Sequence, residues 1–252
     1  MPTQLRVRRR TALLAFAGSC LGGTSGARAG FPPDQPTAPG GYEARQVEGW
    51  TAFVAPSLLE PGNPRGEAVM TLLRFQLYQI GRRLPKPAVA KLRRIRIWVE
   101  ESEPHNPCMA YHPDPGWLKD HGMDPAKAGC VELSNASNFL DWTLEQPWMV
   151  LHEMAHAYHD QFLKAGHANP EIRAAYDRAM AEKLYDSVTD GRGRSVRSYA
   201  ATNPMEYFAE ASEAFFGTND FFPYVRAELR SHDPRAFDLL VKLWGDSDRA
   251  RR

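Results

Sequence analysis

The residues best suited to chemistry are those at positions 152–156, which read His-Glu-Met-Ala-His, an HExxH motif. In a helix, His152 and His156 lie one turn apart on the same face, so both imidazoles can reach a single zinc ion. Glu153 lies about 100° round the helix from His152, near enough to bond a water at the metal without being a ligand. Such a glutamate can take a proton from that water and pass it to a leaving amine. The motif therefore predicts a zinc site with Glu153 as general base.

The flanks of the motif decide how much weight it carries, because HExxH alone also arises by chance. Residues 148–151, Trp-Met-Val-Leu, precede it, and Ala157 and Tyr158 follow it. They are apolar and contain no helix breaker, which predicts a buried helix over about residues 148–164. An accidental match on a surface helix is the alternative.

A catalytic zinc needs a third protein ligand, and the motif does not continue to one. The positions where a longer zinc motif would place glycine and histidine are occupied by His159 and Phe162. Glu206 is the best candidate, on a helix predicted over residues 204–216. The other interpretation is a capping box, in which Asn203 is the N-cap and Glu206 stands at the third helical position. The residues alone leave both interpretations open.

A family resemblance adds to this helix. Tyr199 precedes Glu206 by seven positions, and the run from Glu206 to Glu210 reads Glu-Tyr-Phe-Ala-Glu. Over about residues 130–217, this combination with HExxH resembles the gluzincin group of metallopeptidases that contains anthrax lethal factor. The resemblance implies that Glu206 is the third zinc ligand, that the Tyr199 hydroxyl lies near the developing oxyanion, and that Glu210 orients a zinc-bound imidazole. The alternatives are a core tyrosine and a solvated glutamate. Residues 203–229 also resemble a group of uncharacterised exported bacterial proteins.

The implied fold and activity follow from that resemblance. It implies a zincin-like domain that binds one zinc ion and hydrolyses peptide bonds in an extended peptide or protein substrate. A non-catalytic zinc-binding module that uses the same scaffold to bind a partner is one alternative, against which the retained Glu153 argues. A zinc-dependent amidase acting on a non-peptide amide is another, since it needs the same zinc, base and oxyanion donor.

The elements that must position these residues change in kind along the chain. Strands are predicted over residues 47–54, 93–100 and 131–133, with a helix over 67–83. Later residues predict helices over 148–164, 170–185, 204–216 and 234–244. This order favours an α+β fold, with a small mixed sheet in the N-terminal half and a helical C-terminal half carrying the metal site. A single catalytic domain is expected over residues 42–246, followed by a polar tail over 247–252. Zincin architecture makes strand 131–133 the expected edge strand for an extended peptide.

The first 29 residues are predicted to be a signal peptide for export to the periplasm or medium. Arginines precede an apolar stretch, and Ala27-Arg28-Ala29 resembles a cleavage site. The pair Arg9-Arg10 is compatible with a twin-arginine signal, and Cys20 offers the alternative of a lipid anchor. Residues 30–41 are rich in proline and glycine and predict a flexible linker.

Charge excludes one class of partner. The chain has 31 basic and 30 acidic residues, and loss of residues 1–29 removes five arginines, leaving 26 basic against 30 acidic. No basic stripe of the kind that nucleic-acid binding requires is recognised in this sequence, so that class is set aside. No apolar run is long enough to span a bilayer.

Two cysteines, Cys108 and Cys130, remain after export. In an oxidising compartment they are expected to form a disulfide that ties the loop of residues 102–128 to strand 131–133. Two buried free thiols are the alternative. His105, His112 and His121 occur in the same loop, but their irregular spacing is poor for a structural zinc site.

Overall fold

The computed structural model describes residues 38–245. The predicted signal peptide, Cys20, most of the linker and the polar tail lie outside the described residues. Within residues 38–245, no helix has the length and apolar character needed to cross a membrane.

The main sheet comes from the N-terminal half of the described residues, and the C-terminal half is helical apart from the short hairpin of residues 188–196. The strands are β1 Glu43–Val47, β2 Trp50–Val54, β3 Ile97–Val99, β4 Met109–Tyr111, β5 Val131–Leu133, β6 Val188–Thr189 and β7 Ser195–Val196. The helices are α1 Pro64–Arg83, α2 Lys86–Leu92, α3 Pro115–Asp120, α4 Ala136–Trp142, α5 Met149–Phe162, α6 Pro170–Ala181, α7 Pro204–Phe216, α8 Arg226–His232 and α9 Pro234–Trp244. The prediction of an α+β fold is confirmed.

The main sheet is mixed, and its strand order is β1-β2-β3-β5-β4. Strands β2, β3 and β5 are parallel, while β1 and β4 pair antiparallel at the two edges. The single strand predicted over residues 47–54 is wrong, because a hairpin turn interrupts it. Glu48 and Gly49 both have positive φ, 53° and 89°. Such a two-residue turn matches the twist of the two strands it joins.

The two faces of the sheet are buried against different partners. Successive strand residues alternate between faces. Val131 and Leu133 of β5 belong to the main core with α1, α5 and α7, whereas Phe53 and Trp98 form a smaller cluster on the other face. Ala38 and Tyr42 pack partly over that second cluster, so the chain just before β1 helps to cover it.

The predicted disulfide between Cys108 and Cys130 is wrong. Both thiols are buried, and no disulfide joins them. Cys108 lies in the main core with its sulfur 3.4 Å from that of Met149, while Cys130 belongs to the cluster on the opposite face of the sheet. In the β4–β5 ladder, Met109 pairs with Leu133 and Tyr111 with Val131, which separates the two cysteines along the strands as well. A disulfide cannot span that arrangement.

The expected edge strand is also wrong. Strand β5 lies between β3 and β4, so the edge strand on this side of the sheet is β4. The sequence around it is dense in proline, histidine and aspartate, and only three residues, Met109–Tyr111, form the strand. The stretch predicted as loop thus contains both β4 and the short helix α3.

Helices α5 and α7 pack against each other and carry the predicted site residues. Helix α7 has the predicted bounds, and α5 is shorter than predicted by one residue at its start and two at its end. Asn203 caps α7, since its side chain accepts hydrogen bonds from the backbone N–H groups of Met205 and Glu206. On the far side of α5, the Gln76 side chain of α1 accepts a hydrogen bond from the Val150 N–H. These contacts fix where each helix begins.

Candidate metal centre

His152 and His156 of α5 come together as their spacing predicts. Their ring centroids are 4.8 Å apart and the rings are nearly perpendicular, at 78°. Their side chains are 9% and 11% exposed. The apolar flanks of the motif, including Leu151 and Ala155, are fully buried. The accidental surface match is therefore wrong, because the motif helix runs through the core.

Glu206 of α7 reaches both imidazoles. Its Oε2 lies 3.0 Å from Nε2 of His152 and 3.3 Å from Nε2 of His156. The donor atoms of the three residues all lie within 4.8 Å of one another. Asn203 does cap the helix, but the Glu206 carboxylate points to the histidines and does not complete a capping box. Asn203 is thus the N-cap, as the capping-box interpretation predicted, while the Glu206 side chain lies where the metal-ligand interpretation placed it.

The contacts among the three residues favour a negative charge on Glu206 and a positive charge on His152. Burial would raise the pKa of Glu206, but the neighbouring His156 and His152 outweigh it and hold that pKa well below its usual range. Burial would lower the pKa of His152, yet its contacts with Glu206 and Glu213 raise that pKa well above its usual range. A buried carboxylate facing two imidazoles therefore attracts positive charge to the space between them.

Glu213 is a site residue that the sequence analysis did not assign a role. Its Oε1 lies 2.7 Å from Nδ1 of His152, whereas Oε1 of Glu210 lies 3.8 Å from the same nitrogen. The place expected for Glu210 beside the imidazole is thus taken by Glu213. A proton on Nδ1 bonded to Glu213 leaves Nε2 of His152 as the atom that can bind a metal. The signal was present, since Glu213 follows Glu206 by two helical turns.

Glu153 is buried beside the two histidines and is anchored to the edge strand. It is 3% exposed, and its Oε2 accepts a hydrogen bond of 2.9 Å from the backbone N–H of Tyr111 in β4. The Tyr111 hydroxyl in turn donates to Oδ2 of Asp160 in α5, at 2.6 Å. The candidate base and the edge strand are therefore held in one fixed arrangement.

Tyr199 also reaches the site, from the turn that precedes α7. Its hydroxyl lies 3.5 Å from Oε1 of Glu206, and its ring centroid is 6.4 Å from that of His152. The side chain is partly exposed. It is therefore not a core tyrosine, and its hydroxyl borders the space in front of the three candidate ligands.

His159 and His112 lie outside the set of candidate ligands. His159 is fully buried against Phe208 and His167, and neither ring nitrogen has a hydrogen-bond partner among residues 38–245. Burial, followed by the charges of His167 and His156, lowers its pKa to about 3. It therefore stays neutral at physiological pH. His112 bonds Glu132 on the other face of the sheet, 2.7 Å between Nε2 and Oε2.

A small cavity of about 20 Å³ adjoins His152 and Glu153. Its apolar wall comes from β4, α4 and α5 and the segments beside them: Pro107, Cys108, Met109, Trp142 and Met149. Tyr199, Glu210 and Glu213 line it as well. A larger groove shares Trp142 and Gln146 with this cavity and continues towards the β6–β7 hairpin. The site thus opens into a cleft with room for a substrate.

The donor set fits zinc. Two imidazole nitrogens and one carboxylate are the three protein ligands of a common class of catalytic zinc site, which keeps a further position open. The Glu213 carboxylate on Nδ1 of His152 is the usual partner of a zinc-bound imidazole.

Comparison with known proteins identifies one family. The model of the family described as glucose-regulated metallo-peptidase M90 matches residues 123–244, just under half of the chain, which include α5 and α7 with His152, His156 and Glu206. The matched residues are therefore similar to a metallopeptidase family, in agreement with the prediction. The narrower resemblance to the anthrax lethal factor group is not confirmed.

The other comparisons add little. A search of the curated proteins finds no match. Among solved structures, the chain is similar to the PRO-PRO endopeptidase (PPEP-2) from Paenibacillus alvei, with 17% identity and a TM-score of 0.44. That similarity covers 79% of this chain and 99% of the other. At this level it carries no information about the substrate of this chain.

Proposed function

We propose that the protein is an exported zinc-dependent peptidase that hydrolyses peptide bonds in an extended peptide or protein. One observation carries the proposal: His152, His156 and Glu206 present three buried donor atoms within 4.8 Å of one another, with Glu153 next to them in the cleft. The match to a metallopeptidase family supports it. Export rests on residues 1–29 alone, which lie outside the described structure.

In this proposal His152, His156 and Glu206 hold zinc, which when bound polarises a carbonyl and lowers the pKa of water. Glu153 accepts the proton of the attacking water and returns it to the leaving amine nitrogen. The Tyr199 hydroxyl donates a hydrogen bond to the carbonyl oxygen as negative charge develops there. Glu213 keeps His152 in the tautomer and orientation that ligation needs.

The edge strand β4 supplies the means of holding the substrate. An extended peptide can add to an exposed sheet edge through backbone hydrogen bonds, while pockets accept alternate side chains. Strand β4 is the edge strand on this side of the sheet, its three residues are buried, and the backbone N–H of Tyr111 bonds Glu153. The apolar wall formed by Met109, Trp142 and Met149 is suited to contact an apolar side chain next to the cleaved bond.

The direct test is Glu153→Gln, a change that keeps the shape of the side chain and removes its basicity. We expect hydrolysis of a mixed peptide library, followed by mass spectrometry, to fall by about a thousandfold, because general-base catalysis is lost. Zinc content should stay the same, because Glu153 is not a ligand. Glu182→Gln is the matched control, since Glu182 is exposed and pairs with Arg235 away from the site. Unchanged hydrolysis in Glu153→Gln would contradict the proposal.

A further inference from the structure

Residues 64–96, which comprise α1, α2 and the turn before β3, concentrate positive charge. They contain nine basic residues and one acidic residue, Glu67. The basic residues are Arg65, Arg74, Arg82, Arg83, Lys86, Lys91, Arg93, Arg94 and Arg96. Elsewhere in the chain, acidic residues outnumber basic ones by 29 to 22. Although the net charge of the whole chain is close to zero, the charge is therefore distributed very unevenly along it.

Most of these charges are not neutralised by carboxylates. Arg65 pairs with Glu101 at 3.3 Å, whereas no carboxylate among residues 38–245 pairs with the following six basic residues: Arg74, Arg83, Lys86, Lys91, Arg93 and Arg94. Five guanidinium groups of the segment lie over aromatic rings, among them Arg83 over Trp148 at 5.0 Å, Arg93 over Trp50 at 5.3 Å and Arg94 over Phe162 at 5.6 Å. An aromatic face holds a cation in place without cancelling its charge. The charges of these six residues are therefore available to a partner.

Two large aromatic side chains stand exposed among these charges. Phe75 and Tyr78 of α1 are 55% and 46% exposed. Helical spacing places them on the same face as Arg74 and Arg82, and the Arg82 guanidinium lies 5.4 Å from the Tyr78 ring centroid. The opposite face of α1 is fully buried in the core, so neither aromatic ring is needed there. Exposed aromatic rings beside arginines are typical of a helix that lies on a membrane surface.

We propose that this surface, named the α1–α2 surface, binds the anionic phosphate headgroups of a lipid bilayer. It is formed by the following residues: Arg74, Phe75, Tyr78, Lys86, Arg93 and Arg94. Basic residues near an anionic bilayer are attracted to its phosphates, and aromatic rings enter the interfacial layer. Nucleic acid attracts the same charges, but it gives no reason for exposed Phe75 and Tyr78 on the outer face of a helix.

The position of the surface leaves the candidate metal centre accessible. Helix α1 contacts α5 at Val150, which lies about 200° round α5 from His152. A bilayer bound to α1 would thus lie behind the motif helix, and the cleft would face away from it. The inference does not depend on the proposed peptidase activity.

Vesicle flotation tests the proposal with the chain beginning at residue 30, because the arginines of residues 1–29 would themselves adsorb to anionic lipid. We expect binding to phosphatidylcholine vesicles that contain about 30% phosphatidylglycerol, weak binding to phosphatidylcholine alone, and release by salt. A fourfold variant should weaken binding by at least about tenfold. Its substitutions are Arg74→Gln, Lys86→Gln, Arg93→Gln and Arg94→Gln.

Two further variants separate the surface from net charge and from folding. The matched control removes four exposed charges elsewhere: Lys164→Gln, Arg173→Gln, Arg178→Gln and Arg235→Gln. It should bind like the unaltered protein, and an equal loss there would overturn the proposal. Phe75→Ser with Tyr78→Ser should weaken vesicle binding while the thermal unfolding midpoint is kept, because both side chains are exposed. Absence of vesicle binding, or preference for duplex DNA over the vesicles, would also overturn it.

Discussion

Glu206 and Glu132 are both buried glutamates, one in the candidate metal centre and one on the other face of the sheet, and they are neutralised by different groups. Glu132 is completely buried. It bonds Nζ of Lys127 and, at 2.7 Å, Nε2 of His112. Lys127 also pairs with Glu100, at 2.8 Å. Around Glu206, the partners among the described residues are two imidazoles and the Tyr199 hydroxyl.

The difference lies in whether the protein supplies a permanent cation. The lysine ammonium beside Glu132 stays charged across the physiological pH range, so that cluster is complete by itself. The imidazoles beside Glu206 are charged only while they hold a second proton, and a bound divalent cation takes the place of that proton. A buried carboxylate that faces imidazole nitrogens is therefore stabilised by a divalent cation. We infer that the Glu132 cluster serves folding and the Glu206 cluster serves metal binding.

The largest expected effect that separates the two regions is on folding stability. Glu132→Gln leaves the Lys127 ammonium buried with one carboxylate fewer, which should cost about 3–5 kcal/mol in the free energy of unfolding. Urea unfolding measures it. Glu171→Gln is the control, since its pair with Lys242 is exposed and should contribute no more than about 1 kcal/mol. If Glu132→Gln were as stable as the control, the proposed role of this cluster would be wrong.

A smaller effect is expected at Glu213, which acts on the metal through His152. Glu213→Gln should weaken zinc affinity by about 10- to 100-fold, because the carboxylate that orients the imidazole is lost. Competition with a fluorescent chelator measures the affinity. Glu210→Gln on the same helix should weaken it less, because Glu210 lies 3.8 Å from the imidazole nitrogen against 2.7 Å for Glu213. The reverse order of the two effects would contradict the assignment.

The smallest expected effect is on acid stability. Burial would raise the pKa of Glu132, but its bonds to His112 and Lys127 outweigh this and lower it below the ordinary value of 4.5. A lowered pKa contributes stability above the ordinary value, and this contribution is lost as pH falls through the folded-state pKa. The difference in unfolding free energy between the protein and Glu132→Gln should thus shrink by about 1 kcal/mol per pH unit in that acid range. A difference in unfolding free energy that stays constant down to pH 3 would contradict this prediction.

The parts of the molecule with helical periodicity were predictable from sequence. Helix α7 has the predicted bounds because Asn203 and Pro204 mark its start and apolar residues repeat along it. His152, Glu153 and His156 needed only the geometry of one helix to be placed together. These are local relations, and a sequence pattern states them directly.

Relations between elements were not predictable in the same way. The segment Met109–Tyr111 is too short to be predicted as a strand from its sequence. It is recognised as the edge strand through its pairing with β5. The sequence predicts a disulfide between Cys108 and Cys130, but the two residues lie on opposite faces of the sheet. The packing of α7 on α5 likewise decides that Glu213 meets His152 more closely than Glu210 does. Each of these depends on tertiary packing, which local patterns do not encode.

The most direct test of the contrast between the two glutamates is zinc content by elemental analysis of purified protein, Glu206→Gln and Glu132→Gln. We expect one zinc per chain in the unaltered protein and in Glu132→Gln, and loss of zinc in Glu206→Gln, because Glu206 supplies the third ligand. Absence of zinc from the unaltered protein, or full retention in Glu206→Gln, would contradict the assignment of the metal centre.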